Sequence, residues 1–194
     1  MGKTITKEEI DVLPVAVFPG RIEVVETEKK ADRAVGYLSK FDKIGFDTET
    51  RPSFMKGTIK SVSLIQLSTQ DVCFLFRLNA LNGFPLSLIK LLSNPDILKI
   101  GLSLRDDFQS MGRRLTFTPQ GFLDLQKIVQ LHDIDELSLQ KIYAILHGKR
   151  ISKTQRLTNW EAPELTGSQK KYAALDAWAC LKIYEKLCPT KKFI

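Results

Sequence analysis

The sequence predicts an α/β protein in which helices cover the faces of a β-sheet. Two β-rich runs, residues 61–68 and 71–78, are separated only by Thr69 and Gln70, which indicates a hairpin. Between residues 97 and 131, short apolar runs alternate with amphipathic helical patterns. Hairpin strands followed by strand-helix alternation are typical of a sheet with helices on its faces, and this order fits both the α/β and the α+β class.

Length and composition indicate one ordinary globular domain. The chain has 194 residues, of which 43% are hydrophobic, so it is long enough to bury a core. The formal net charge of +7 suggests a polyanionic partner such as nucleic acid, although many basic domains bind none. Cys73, Cys180 and Cys188 have no metal-binding spacing and form no closed disulfide set, which fits a reducing compartment.

No segment has the character of a membrane span or a signal peptide. No apolar stretch approaches the roughly 18–20 residues that a membrane-spanning helix needs. The N-terminal lysines, Lys3 and Lys7, are followed by acids rather than by an apolar signal-peptide core. We therefore expect a cytoplasmic protein with no membrane partner.

The chain divides into an extension, one domain and a short tail. Residues 1–20 contain Pro14 and Pro19 and show no sustained period, so we expect them to lie over the domain as an extension. Residues 21–188 should form the domain, and residues 189–194 a loose basic tail.

Periodicity and capping signals place the elements of the domain. Besides the hairpin, strands are expected at residues 21–26, 43–50, 97–102 and 122–123. Helices are expected at residues 28–40, 86–92, 104–113, 125–131, 138–146 and 167–187. Thr27 and Asp124 are the expected N-caps of the helices that follow them. Residues 51–58, with Pro52 and Gly57, and residues 149–163 are expected to be loops.

The strand at residues 43–50 carries two acids on one face. Asp47 and Glu49 alternate with Phe46 and Thr48, and a strand has a side-chain period of two. Two close carboxylates repel each other, and burial adds a cost that a cation between them would offset. An exposed strand end with two solvated acids explains the pair equally well.

A third acid lies on the last helix. Thr166 and Gln169 form the T-x-x-Q pattern of a capping box, which marks the helix start. Tyr172 and Asp176 are four residues apart and therefore share a helical face, which is otherwise apolar. The Asp176 carboxylate needs a partner there, either a core-facing arginine or a metal ion shared with the strand acids.

A fourth acid follows from the helix that begins near residue 104. Leu104, Phe108 and Met111 define its inward stripe, and Asp107 lies on that side while Asp106 points away. Acids from three different elements could thus hold two divalent ions, Mg²⁺ or Mn²⁺, which prefer oxygen ligands. Two such ions can support an in-line displacement at phosphorus, and the Tyr172 hydroxyl could orient the attacking water.

Three motifs in this order resemble those of the DnaQ-like 3′–5′ exonucleases, specifically the ribonuclease D and Werner-type branch. The D-x-E motif of that family matches Asp47-Thr48-Glu49. Its second motif matches Gly101 with Asp107 six residues later, and its Y-x-x-x-D motif matches Tyr172 and Asp176. Lys171 stands where the histidine subclass has its histidine, so the chain resembles the tyrosine subclass.

The resemblance implies a ribonuclease-H-like fold, with a mixed five- to six-stranded sheet flanked by helices. It also implies hydrolytic release of nucleoside 5′-monophosphates from a 3′ end. Asp47, Glu49 and Asp176 would hold the first metal ion, and Asp47 with Asp107 the second. One departure follows the first motif: the family often has an acid and an aromatic residue there, and this chain has Arg51 through Phe54.

Nucleic acid, DNA or RNA, is the expected partner, bound at single-stranded or frayed 3′ ends. The polar loop carries four cations that could contact phosphates: Lys149, Arg150, Lys153 and Arg156. Phe54 could wedge against the terminal base. Trp160 could stack on a base, but core packing under the last helix is the preferred interpretation. His132 and His147 are expected at helix ends or on the surface.

Two alternatives to an active exonuclease remain at this point. The chain could be a weakly active or inactive nucleic-acid-binding module on the same fold, although all four acids and Tyr172 are present. A phosphatase loop of the D-x-D-x-T kind is the other alternative. It requires an aspartate where Glu49 stands, and it has no use for the acid on the last helix.

Overall fold

A single six-stranded sheet with helices on both faces is seen in the computed structural model, which describes residues 2–51 and 61–189. The strands are β1 (Arg21–Val25), β2 (Lys43–Thr50), β3 (Val62–Ser68), β4 (Val72–Arg77), β5 (Leu98–Gly101) and β6 (Phe122–Asp124). Their order in the sheet is β1-β4-β3-β2-β5-β6. The β2-β3 and β3-β4 pairs are antiparallel and the other three are parallel, so the predicted hairpin and a mixed sheet are both confirmed.

Seven α-helices occur in the described residues. They are α1 (Lys7–Asp11), α2 (Glu28–Leu38), α3 (Leu86–Leu92), α4 (Leu104–Gly112), α5 (Leu125–Val129), α6 (Leu139–His147) and α7 (Gly167–Leu187). The predicted start of α7 is confirmed, including its capping box between Thr166 and Gln169. Thr27 and Asp124 also cap their helices as predicted. The helix predicted at residues 125–131 is shorter, because a 3₁₀ turn replaces the α-helix at Gln130–His132.

Helix α1 was not predicted, and residues 1–20 were expected to be irregular. It has no buried residue, so it leaves no apolar stripe for periodicity to detect. Its start is nevertheless marked by a capping box, in which Thr6 accepts a hydrogen bond from the Glu9 N–H and the Glu9 side chain accepts one from the Thr6 N–H. The T-x-x-E pattern at Thr6 is the signal that could have revealed it.

The two faces of the sheet bury two separate cores. Alternate residues of β4 enter opposite cores: Cys73 and Leu75 pack on the side of α7, whereas Phe74 and Phe76 pack on the side of α2 and α3. Helices α5 and α6 share the α7 side, and α4 contributes Leu104 and Met111 to the other core. The buried Cys73 is a small core residue, as expected.

None of the helices in residues 2–51 and 61–189 combines the length and the apolar character that crossing a membrane requires. The predicted loop at residues 52–58, with Phe54, and residues 190–194 of the predicted tail lie outside the described residues. The division of the chain at residues 20 and 188 stays a prediction.

Gly45 allows α7 to lie directly on β2. A Cβ atom at position 45 would lie 1.9 Å from the carbonyl oxygen of Ala177, a backbone atom that cannot rotate away. Gly45 shares a strand face with Asp47 and Glu49, and Ala177 directly follows Asp176. The close approach at Gly45 therefore brings the α7 acid to the strand acids.

We expect Gly45→Ala to lower the free energy of unfolding by about 3 kcal/mol, since overpacking against rigid backbone forces the helix and strand apart. Chemical denaturation measures the change. The matched control is Gly36→Ala in α2, where an added Cβ meets no atom within 4 Å. That variant should gain about 0.5–1 kcal/mol from helix propensity. Equal stability of the two variants would contradict the close approach.

Candidate active site

Three of the predicted acids meet where α7 crosses β2. Carboxylate oxygens of Asp47, Glu49 and Asp176 all lie within 4.8 Å of one another. Asp176 is buried with 4% of its surface exposed, and the two strand acids are half-buried. The Asp176 Oδ1 atom is buried and has no hydrogen-bond partner among the described residues. Neither solvation nor a core-facing arginine accounts for this cluster.

The fourth acid approaches from the other side of the sheet. The Thr48 hydroxyl donates a short hydrogen bond to Asp107 Oδ1, and Asp107 is close enough to Asp47 for the two charges to interact. Thr48 alternates with Asp47 and Glu49 along β2 and therefore points to the opposite face. The neighbouring Asp106 is exposed, so the predicted difference between the two adjacent aspartates is confirmed.

Asp124 fixes the start of the helix that carries Asp107. Its carboxylate accepts hydrogen bonds from the N–H groups of Ser103 (3.1 Å), Leu104 (3.0 Å) and Gln126 (3.0 Å). The bond from Gln126 is the N-cap predicted for α5, but the other two hold the first turn of α4. Ser103 adopts a left-handed backbone with φ of 61°, which turns the chain from β5 into α4. Sequence analysis missed this second role of Asp124, because its donors lie about 20 residues away.

Burial and mutual repulsion raise the pKa values of all four acids. Burial is the largest cause in each case. The pKa of Glu49 rises to about 10, that of Asp107 to about 8 and that of Asp176 to about 7. The pKa of Asp47 is also raised well above its usual range, with repulsion by Asp176 as the second cause. Among the described residues, no lysine or arginine forms an ion pair with any of them.

These features fit a divalent metal site. All the donors are carboxylate oxygens, the ligand type that Mg²⁺ and Mn²⁺ prefer. A cation among them would offset the repulsion that raises the pKa values, and it would give the unpartnered Asp176 Oδ1 a ligand to bind. The cluster is thus a candidate metal centre, built on two rigid elements.

Tyr172 lies one helical turn before Asp176, as the spacing predicts. It is 8% exposed, and its hydroxyl is within hydrogen-bonding reach of the Asp176 carboxylate. Burial, followed by the charge of Asp176, raises the pKa of the Tyr172 hydroxyl, so it keeps its proton. The Trp160 ring lies 6.1 Å from the Tyr172 ring and is 1% exposed, which confirms core packing for Trp160.

The loop that leads into α7 is anchored to the sheet at two points. Arg77, at the end of β4, donates to the carbonyl oxygens of Ala162 and Pro163 and pairs with Glu26 at 2.6 Å. Glu161 accepts a hydrogen bond from the Ser63 hydroxyl at 3.1 Å on the neighbouring strand. Neither anchor was recognised from the sequence, since both join positions that are far apart in the chain.

The predicted loop cations differ in their surroundings. Arg156 is exposed, and its charge lowers the pKa of Glu49, so it lies on the acid side of the loop. Lys149 and Lys153 are exposed, whereas Arg150 is half-buried and donates from Nε to the Leu13 carbonyl at 3.1 Å. The histidines are at helix ends, as expected: His132 is exposed, and His147 stacks on Tyr143.

Comparison with known proteins decides the family. A family model described as a 3′–5′ exonuclease matches residues 22–191. The chain belongs to this 3′–5′ exonuclease family. It is 33% identical over 186 residues to the bifunctional 3′–5′ exonuclease/ATP-dependent helicase WRN of Mus musculus, which covers 91% of this chain and 13% of the relative. Exonuclease 3′–5′ domain-containing protein 2 of Drosophila melanogaster is 29% identical over 177 residues, or 87% of this chain and 30% of that protein. The chain thus spans less than a third of the length of either relative.

Solved structures share the fold of this exonuclease-family chain. The Nibbler EXO domain of Aedes aegypti superimposes with a TM-score of 0.80 at 24% identity, covering 90% of this chain and 92% of that one. Ribonuclease D of Trypanosoma brucei, solved in complex with RNA U12, gives a TM-score of 0.77 at 25% identity over 90% of this chain and 65% of that one. The ribonuclease-H-like fold and the family resemblance implied by the three motifs are confirmed.

Divalent ions should change the stability of this protein in a pH-dependent way. The four acids have higher pKa values in the folded chain than in the unfolded chain, so their contribution to the free energy of unfolding is greatest below about pH 4 and falls as pH rises. The loss extends through about 7 for Asp176 and about 8 for Asp107. At about pH 8, Mg²⁺ or Mn²⁺ at 100 times its Kd should restore about 2.7 kcal/mol, and at about pH 5 much less.

Thermal unfolding with EDTA or with each ion, at both pH values, measures this effect. Asp47→Asn should abolish the gain from the ion and should raise the melting temperature in EDTA at the higher pH, because it removes one repelling charge. Asp106→Asn, on the exposed neighbour of Asp107, should behave like the wild type. An equal gain in both variants would show that the ion binds elsewhere.

Proposed function

We propose that this chain is a metal-dependent 3′–5′ exonuclease that releases nucleoside 5′-monophosphates from the 3′ end of nucleic acid. One observation carries the proposal: within a chain of the 3′–5′ exonuclease family, carboxylates from β2 and α7 converge to within 4.8 Å, and Asp107 approaches Asp47 from α4. Acids brought together at this energetic cost need a charged partner, and the family supplies a reaction that uses one.

We assign the four acids to two ion sites. Asp47, Glu49 and Asp176 would hold one ion, and Asp47 with Asp107 the other. Ions bound there would lower the pKa of the attacking water and stabilise charge on the leaving oxygen. The water oxygen forms a bond to phosphorus while the bond from phosphorus to the 3′ oxygen breaks. The shortened strand keeps a 3′-hydroxyl, and the released nucleotide carries the 5′-phosphate.

The remaining residues of the site would position the substrate. Tyr172 keeps its proton and can donate a hydrogen bond to the attacking water or to a phosphate oxygen. Arg156, on the acid side of the loop, can contact the phosphate of the terminal nucleotide. The last nucleotide must reach the acids unpaired, so single-stranded or frayed 3′ ends are the proposed substrates. The proposal covers DNA and RNA, and the assay below decides between them.

The first test is a digestion of 5′-labelled single-stranded DNA and RNA of one sequence with Mg²⁺, Mn²⁺ or EDTA. We expect a ladder that shortens from the 3′ end only with a divalent ion. Asp107→Asn should slow it at least about 100-fold, a loss typical of removing one group that stabilises transition-state charge. Asp106→Asn is the matched control and should retain full activity. Binding without any shortening under either ion would support the inactive binding module instead.

Tyr172→Phe tests the positioning role. It removes only the hydroxyl and keeps the ring beside Trp160, so the melting temperature should stay unchanged. We expect kcat to fall about 10- to 100-fold because the attacking group loses its orientation, with little change in KM. Single-turnover kinetics measure both constants. A rise in KM at constant kcat would assign the hydroxyl to ground-state binding alone.

A further inference from the structure

A cavity opens beside Tyr172, and the N-terminal segment forms one of its walls. It has a volume of about 240 Å³ and lies between residues 15–18, residues 154–155 and the first two turns of α7. Ala16 and Phe18 are buried, so this wall is anchored in the core, whereas Val15 and Val17 are 48% and 65% exposed. We call this space the inner cavity. A strand whose 3′ end lies at the acids would meet it next.

A second cavity continues from the first along residues 152–154. It has a volume of about 650 Å³ and shares Ser152 and Thr154 with the inner cavity. We call it the outer cavity, and the two together the N-terminal groove. Four cations line the outer cavity against one acid, Asp11; the cations are Lys7, Lys141, Arg150 and Lys153.

Two of these cations are available to a ligand. Lys141 pairs with Glu136 at 2.9 Å, and Arg150 donates to the Leu13 carbonyl. Within the described part of the chain, Lys7 and Lys153 make no ion pair, and both are exposed. Lys171 adds a third cation at the inner cavity. The groove thus presents positive charge from its outer end to the side of Tyr172.

The N-terminal wall is held in place by backbone contacts. Val15 and Arg150 form a parallel bridge, in which the Ala16 N–H donates to the Arg150 carbonyl at 2.8 Å and the Arg150 N–H to the Pro14 carbonyl at 2.9 Å. Lys3 and Ile134 form a second bridge. Lys7 and residues 15–18 therefore belong to a fixed surface, although they precede the part of the chain that the family model matches, residues 22–191.

We propose that the N-terminal groove binds the sugar-phosphate backbone of nucleotides on the 5′ side of the 3′ end, an inference that rests on the proposed function. Lys7 and Lys153 contact phosphates in the outer cavity, and Val15 and Val17 offer apolar contact to bases in the inner one. Charge complementarity favours a polyanion, and continuity with the Tyr172 side of the acid site favours the substrate strand. The N-terminal segment is in this way a part of the nucleic-acid interface that this chain adds to the family domain.

The test compares the double variant Lys7→Gln/Lys153→Gln with Lys29→Gln/Lys30→Gln. The control lysines are also exposed and make no ion pair within the described residues, but they lie on α2, across the sheet from α7. The probes are oligodeoxythymidine and oligouridine of 12 and of 3 nucleotides. Dissociation constants of the 12-mers are measured in EDTA over a series of salt concentrations, and kcat/KM for both lengths in Mg²⁺.

The groove variant should bind the 12-mers about 10-fold more weakly, and its slope of log K against log salt should be about 1.4 less steep, since each lost phosphate contact on a single strand removes about 0.7. Its kcat/KM for the 12-mers should fall, whereas that for the 3-mers, which are too short for the outer cavity, should stay at the wild-type value. The α2 variant should match the wild type throughout. Val17→Glu, at an exposed position that folding tolerates, should weaken the 12-mers in the same way.

Unchanged 12-mer binding in the groove variant, or an equal loss for both lengths, would overturn the proposal. Competition by polyglutamate as strong as competition by an unlabelled 12-mer would also overturn it, because the groove would then accept any polyanion, an acidic peptide included. Binding in EDTA does not depend on catalysis, so an inactive protein that still shows the altered salt slope would refute the exonuclease and retain the groove.

Discussion

The Ala177 carbonyl of α7 lies where a side chain at position 45 of β2 would have to be, and the site depends on this contact. With glycine there, the helix backbone rests directly on the strand backbone. Asp176, the residue before Ala177, then reaches Asp47 and Glu49, which follow Gly45 on the same strand face. No other residue type permits the approach, so a catalytic arrangement of three acids follows from one missing Cβ atom.

The cost of the site is electrostatic, and the fold meets it by rigid construction. Four carboxylates share a region where burial raises every one of their pKa values. The structure holds them together with groups that do not neutralise them. Asp124 fixes the start of α4 through backbone N–H groups, Thr48 orients Asp107, and the capping box at Thr166 sets the first turn of α7. Such preorganisation leaves the charge of the acids available to a ligand.

Local patterns in the sequence were sufficient for much of this arrangement. The period of two placed Asp47 and Glu49 on one face, the spacing of four placed Tyr172 with Asp176, and the apolar stripe of α4 separated Asp107 from Asp106. What the sequence could not predict joins distant positions. The hold of Asp124 on α4, the anchoring of the last loop by Arg77 and the wall formed by residues 15–18 all require the fold to be known. Helix α1 was missed for a different reason, because a helix without a buried face has no periodic signal.

Strand β2 contributes to the site from both of its faces. Its odd-numbered acids meet α7 in one core, while Thr48 meets Asp107, whose helix belongs to the other core. The distance between Asp107 and the remaining acids is therefore measured across the strand backbone, the least compressible part of the sheet. A change that loosens one core can shift its own helix, but the strand between them remains a common reference for both ion sites. The two halves of the centre can thus vary independently in sequence while keeping a constant separation.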